Sequence, residues 1–217
     1  MHVSIERKMY PIWIGPNPAP QKWLNTWKDK HPEWNFYIFT DEMFKSKRWK
    51  NQHLIDHYYR LNKWCGVSDL IRYELLYEEG GFIPEADMEC LNPIDELLNS
   101  PKDHCYTCYE NENGRPGYVQ PFFASNPKNE LIGLAIDTLN KLKDTDLNLE
   151  PFRSTGNLFL STLVPLMQDK ITVWPSHYFI PQFYINDSPR YNGPDKIYAE
   201  HHWGSTGMRG KKYSEGV

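Results

Sequence analysis

One stretch, CGVSDLIRYELLYEEGGFIPEADMECLNP from Cys65 to Pro93, constrains this chain more than any other. Its spacing predicts a helix, a Gly-Gly stop, a short strand and an acidic turn. Val67, Leu70 and Ile71 recur at helical spacing and give the helix an apolar stripe. Ser68 is the expected cap at its start, and Gly80-Gly81 end it. Asp69 and Arg72 stand three residues apart, so they share one side. Beyond the glycines, Phe82-Ile83-Pro84 leads into Glu85-Ala86-Asp87.

Two carboxylates spaced i, i+2 in extended chain point the same way. With only Ala86 between them, Glu85 and Asp87 can reach one hard cation, and oxygen donors suit Mg or Mn. Such ions keep open positions for substrate phosphates. The residues thus imply a metal–diphosphate site at a strand end, with Asp69 and Arg72 close by.

The same residues carry a family resemblance. SDLIRYELLYEEGGFIPEADMECLNPIDELL resembles the sugar-nucleotide core of DXD-motif glycosyltransferases, most of all glycosyltransferase family 32 and more distantly the clostridial glucosylating toxins. The family pattern S-D-x-x-R-Y-x-x-L-Y-x-x-G-G-x-Y-x-D-x-D is met at Ser68, Asp69, Arg72, Tyr73, Leu76, Tyr77, Gly80, Gly81 and Asp87. Glu85 replaces the first Asp of the motif, and Ile83-Pro84 the usual Tyr-Leu. The resemblance implies an α/β fold of GT-A type, a mixed central sheet flanked by helices, in a single domain over residues 1–217. It also implies Mn or Mg on Asp87, with Glu85 toward the ribose, the sugar or a metal-bound water. Asp69 and Arg72 would grip sugar hydroxyls, and Ser68 would reach the ribose. Compact versions of this domain occur in bacteria and large DNA viruses.

Composition sets bounds. At 217 residues the chain has room for a real core, and one domain is the default. A net charge of −4 argues against non-specific nucleic-acid binding. An anionic sugar nucleotide would then need local compensation by a metal and an arginine. No apolar run approaches the roughly eighteen residues of a membrane span. The opening MHVSIERKMYPIWIG lacks the long apolar core of a signal peptide, so a cytoplasmic location, host cytoplasm for a viral version, is expected. Cys105 and Cys108 form a CxxC with no second pair to complete a zinc site, and all four cysteines are expected as reduced thiols.

Elsewhere along the chain, Tyr10–Gly15 (YPIWIG) predicts a first buried strand whose carboxyl end brings Trp13 and Gly15 to the mouth of a nucleotide site. In the resembling families this segment holds the base, with its Trp stacked on uracil. Trp13 is therefore either a base platform or a core residue. Asp41 either lines the nucleotide pocket or caps the helix that follows. Thr155-Gly156-Asn157 stands where relatives carry Thr-Gly-Pro. It is either a backbone N–H site for an oxygen ligand or a plain helix start. The tail YAEHHW resembles a family segment near the metal. His201 and His202 are candidate ligands, and in extended chain they point oppositely. The usual final Trp is absent, with Ser205-Thr206-Gly207 in its place, and Arg209, Lys211 and Lys212 could contact phosphate instead.

The expected activity is metal-dependent transfer of a sugar from a nucleotide sugar, UDP-linked by resemblance, to a glycan or glycoprotein acceptor. The alternative is an inactive nucleotide-sugar or glycan-binding module. A glycoside hydrolase needs carboxylates roughly 5 to 10 Å apart across a bond, and Glu85 and Asp87 sit on one turn. No side chain identifies itself as a nucleophile or base, so the stereochemical course stays open.

Overall fold

The computed structural model describes residues 5–100, 103–185, 188–204 and 213–217. Its strands are β1 (Lys8–Met9), β2 (Asn35–Phe36), β3 (Gly81–Phe82), β4 (Met88–Cys90), β5 (Cys105–Cys108), β6 (Ala124–Ser125), β7 (Ile171–Trp174) and β8 (Ala199–His201). Six of them form a mixed sheet in the order β2-β1-β3-β6-β5-β7, and β4 pairs with β8 in a separate antiparallel ribbon. Within the sheet, β6 alone runs against its neighbours, so β1, β2, β3, β5 and β7 end at the same edge.

The strands are shorter than their apolar runs suggest. Pro11 has no N–H to give a ladder. The predicted Tyr10–Gly15 strand is therefore paired earlier, at Lys8–Met9, and resumes as a single bridge from Ile12 to Phe39. Pro121 likewise separates a bridge at Val119 from the short β6.

Among the described residues the α-helices, in chain order, are α1 (Gln21–Lys30), α2 (Asp41–Ser46), α3 (Gln52–Arg60), α4 (Trp64–Glu79), α5 (Glu130–Leu139), α6 (Pro151–Ser154) and α7 (Asn157–Leu163). Strand alternation divides the interior in two. Met9, Phe82, Tyr106, Cys108 and Ala124 face a core shared with Trp27 of α1, the β4–β8 ribbon and Phe179. Tyr10, Ile83, Cys105 and Ile171 face the opposite core, built from α3, α4, α5 and α7. The CxxC cysteines thus lie on opposite faces of β5 and cannot converge on one ion, and all four cysteines are free thiols.

The central helix departs from expectation at its start. It begins at Trp64, one turn before Ser68, and Lys63 precedes it without a side-chain cap. Its end agrees: Gly80 has φ +63° and Gly81 φ +94°. A Cβ on Gly81 would stand 2.6 Å from the Lys8 carbonyl oxygen. Only glycine both adopts this conformation and allows β3 to approach β1 so closely. Because β3 follows at once, α4 ends at the amino edge of the sheet. Its first turns, with Ser68 and Asp69, therefore lie over the carboxyl edge.

Candidate active site

Several loops meet at that carboxyl edge. Open α/β sheets bind ligands there. The loop after β1 carries Trp13 and Gly15. Trp13 is only partly buried, and its indole N–H donates to the Asn17 carbonyl at 2.8 Å. Gly15, at φ +115°, packs against the Trp64 ring, 3.0 Å from where a Cβ would lie. Its N–H donates to Asp41 Oδ2 at 3.0 Å. Asp41 is the first residue of α2, and Thr40 occupies the capping position. Asp41 therefore ties the Gly15 loop to α2 and is not the cap of that helix.

Arg72 is the buried hinge of the site, 2% exposed. Its Nη1 donates to the carbonyls of Ile83 (2.6 Å) and Phe122 (3.2 Å). Its Nη2 lies 2.7 Å from Glu85 Oε1. That contact has ion-pair distance without hydrogen-bond alignment, and both Glu85 Oε1 and Arg72 Nε are buried without a hydrogen-bond partner. Buried polar atoms are ordinarily satisfied, so such a pair asks for a reason.

Asp69, one turn before Arg72, is partly buried. Burial, and next the Glu85 charge, push its pKa up to about 7, against the pull of Arg72 and of a hydrogen bond from Thr155. Thr155 Oγ1 stands 3.3 Å from Asp69 Oδ2. A Cβ on Gly156 would come within 2.8 Å of the same oxygen. Gly156 is thus a close-approach glycine beside the carboxylate.

Ala86-Asp87 form a turn rather than extended chain, so Glu85 and Asp87 take different partners. Asp87 is 2% exposed. Its Oδ2 accepts the Gly204 N–H at 2.8 Å, and its carbonyl accepts the His202 N–H at 2.8 Å. Its Oδ1 lies 3.5 Å from His201 Nε2. The Trp203 N–H donates to His201 Nδ1 at 3.0 Å, which leaves Nε2 as the protonated nitrogen of the neutral ring. His202 turns the other way, as alternation requires. Its Nε2 is 3.0 Å from Glu89 Oε2, and its ring stacks on Trp23 at 4.4 Å. Among the described residues no group of three His, Cys, Asp or Glu gathers as a metal cluster. Ser205, Thr206, Gly207, Arg209, Lys211 and Lys212 lie outside the described residues.

One more group lies at the same edge without belonging to any motif in the sequence. Glu110, just past β5, is 4% exposed and bonded by Arg115 and Asn157. Its signal was a charged residue closing a fully buried strand.

The sheet order and the edge it builds define a GT-A type fold, that of the nucleotide-sugar glycosyltransferases. Residues 19–103 match the family described as the glycosyltransferase sugar-binding region containing DXD motif, and the chain resembles the DXD-motif glycosyltransferases. It is 30% identical over 172 residues to inositol phosphoceramide mannosyltransferase 1 of Schizosaccharomyces pombe, spanning 73% of this chain and 50% of that protein. It is 28% identical over 106 residues to inositol phosphoceramide mannosyltransferase 3 of the same yeast, covering 45% of this chain and 28% of that one. The chain thus spans half the length or less of these curated relatives. Among solved structures, the PaToxG glycosyltransferase superposes with a TM-score of 0.58 at 15% identity, over 76% of this chain and 70% of its own. The UDP-bound glycosyltransferase domain of the YGT toxin does so with a TM-score of 0.53 at 9% identity, over 79% and 80%. No helix among the described residues is long and apolar enough to cross a membrane.

Proposed function

We propose that this chain is a metal-assisted glycosyltransferase that takes a sugar from a nucleoside diphosphate sugar. One observation carries the reading. Arg72 Nε and Glu85 Oε1 are buried without hydrogen-bond partners, beside Asp69 and at the edge where the Gly15 loop and Asp87 also lie. A guanidinium N–H with no partner, beside a carboxylate oxygen held only by an ion-pair contact, matches the hydroxyls of a sugar ring.

On this reading Trp13 takes the base, with the Gly15 loop steadied by Asp41 and Trp64, and Ser68 faces the ribose. Asp69, Arg72 and Glu85 orient the sugar so that its anomeric carbon faces the acceptor. The UDP-bound state of the YGT toxin domain supports a uridine donor. The yeast relatives, inositol phosphoceramide mannosyltransferases, support mannose as the sugar and an inositol-bearing acceptor.

A divalent ion fits the acidic corner by donor chemistry. Asp87 and Glu85 are oxygen donors suited to Mn or Mg. His201 is positioned to steady Asp87 through Nε2–H rather than to bind the ion, because Nδ1 already accepts the Trp203 N–H. His202, committed to Glu89, serves the ribbon. When bound, the ion would supply positive charge to the departing diphosphate.

The test is a thermal shift with UDP and with GDP, each with and without Mn, followed by an assay of nucleotide-sugar turnover. Wild type is expected to gain stability only with nucleotide and Mn together, and Asp87→Ala to lose both that gain and turnover. Unchanged Mn-dependent binding in Asp87→Ala would remove the metal role. Binding with no turnover of any nucleotide sugar would favour the inactive module.

A further inference from the structure

The edge of the sheet is ordered, and that order separates donor from acceptor. The Gly15 loop follows β1, Glu85 and Asp87 follow β3, and Glu110 follows β5, two strands farther along. A nucleotide on the β1 side with its diphosphate at Asp87 leaves the β5 side for the second substrate. There Glu110 Oε1 accepts from Arg115 Nη1 and Oε2 from Asn157 Nδ2, both at 3.0 Å. Arg115 Nη2 donates to the Tyr184 hydroxyl at 2.7 Å. The guanidinium carbon also lies 5.3 Å from the Phe183 ring centre and 5.5 Å from that of Tyr184.

The cluster adjoins the sugar end of the donor pocket, because Asn157 follows the Gly156 that abuts Asp69. A buried carboxylate is costly unless paired. Here it is spent on fixing an arginine whose side chain stays 33% exposed. Glu110 and Tyr184 each take one of five guanidinium N–H groups. The rest form a rigid, planar donor fork stacked over the Phe183 and Tyr184 rings, an arrangement that suits the hydroxyls of a polyol ring.

We propose that Arg115, held between Glu110 and Tyr184, is the acceptor-binding residue and takes a ring hydroxyl of a sugar or cyclitol. This rests on the glycosyltransferase reading above. The experiment compares wild type, Arg115→Lys and Tyr184→Phe, with UDP-glucose and GDP-mannose as donors and methyl mannoside and myo-inositol as acceptors. The lysine keeps the charge but loses the fork. The phenylalanine keeps the ring and the fold but frees the fork. Both variants are expected to raise the acceptor KM about tenfold while leaving the Kd for nucleoside diphosphate as in wild type. Transfer to one probe acceptor and not the other would identify the ring as sugar or cyclitol. Unchanged acceptor KM, or equal loss of nucleotide affinity, would overturn the assignment of Arg115. Donor hydrolysis without transfer to either probe would overturn the polyol class and leave the glycosyltransferase reading standing. A wild type that binds no nucleoside diphosphate would overturn that reading itself.

Discussion

Asp69 carries the sharpest consequence of a single side chain. Its folded pKa of about 7 stands well above an ordinary carboxyl, because burial and the Glu85 charge disfavour ionisation. A raised folded pKa stabilises below the unfolded value, and that contribution is lost as pH rises through about 7. Asp69→Asn should therefore melt above wild type at pH 8 and level with it near pH 4, while losing nucleotide-sugar turnover. A variant no more stable at pH 8 would show that Asp69 is ionised without penalty. Arg72 is the converse case. Three oxygens converge on it, and Arg72→Ala would leave Glu85 uncompensated beside a cavity. The expected loss is about 3 kcal/mol in denaturant unfolding, together with sugar binding.

At the scale of elements, the α4–β3 turn decides whether the site assembles. Gly81→Ala would place a Cβ against the Lys8 carbonyl and force a side chain to φ +94°. The expected cost is about 2 kcal/mol or more, read as a lower denaturant midpoint with unchanged slope. A wild-type midpoint would mean that the two strands separate at little cost. This turn was legible in the sequence because its causes are local: an apolar stripe, then two glycines. Other features were not local. Ser68 looked like a cap because Trp64-Cys65-Gly66 carries no helix signal, yet the helix starts there. Asp41 meets Gly15 26 positions away, and Glu110 meets Asn157 47 positions away. Such pairs exist only once the sheet has brought loops together, so residue type alone left Asp41 undecided and Glu110 unnoticed. The opposed directions of His201 and His202 were readable, since alternation is a property of the strand itself.

Across the whole molecule, the sheet separates two cores, and the site depends on both. Asp69 and Arg72 come from the α3–α4–α5 side, whereas Asp87, His201 and Trp203 come from the ribbon side. The ribbon side is fastened by His31, which is 2% exposed at the end of α1. Its Nδ1 stands 2.8 Å from the Trp27 carbonyl, and its Nε2 accepts the Ile94 N–H at 3.0 Å. Those two bonds define the neutral ring with the proton on Nδ1. Protonating Nε2 would cost the Ile94 bond and bury a charge, and burial lowers the His31 pKa below its ordinary value. A lowered histidine stabilises above the unfolded pKa of about 6.5 and loses that contribution as pH falls below it. Asp69 gains in the same range, so the raw melting curve mixes opposing terms. The difference between wild type and His31→Gln isolates one of them. That melting-temperature difference should be largest near pH 7.5 and shrink steadily toward pH 5. A constant difference over that range would mean that His31 packs the ribbon side without titrating.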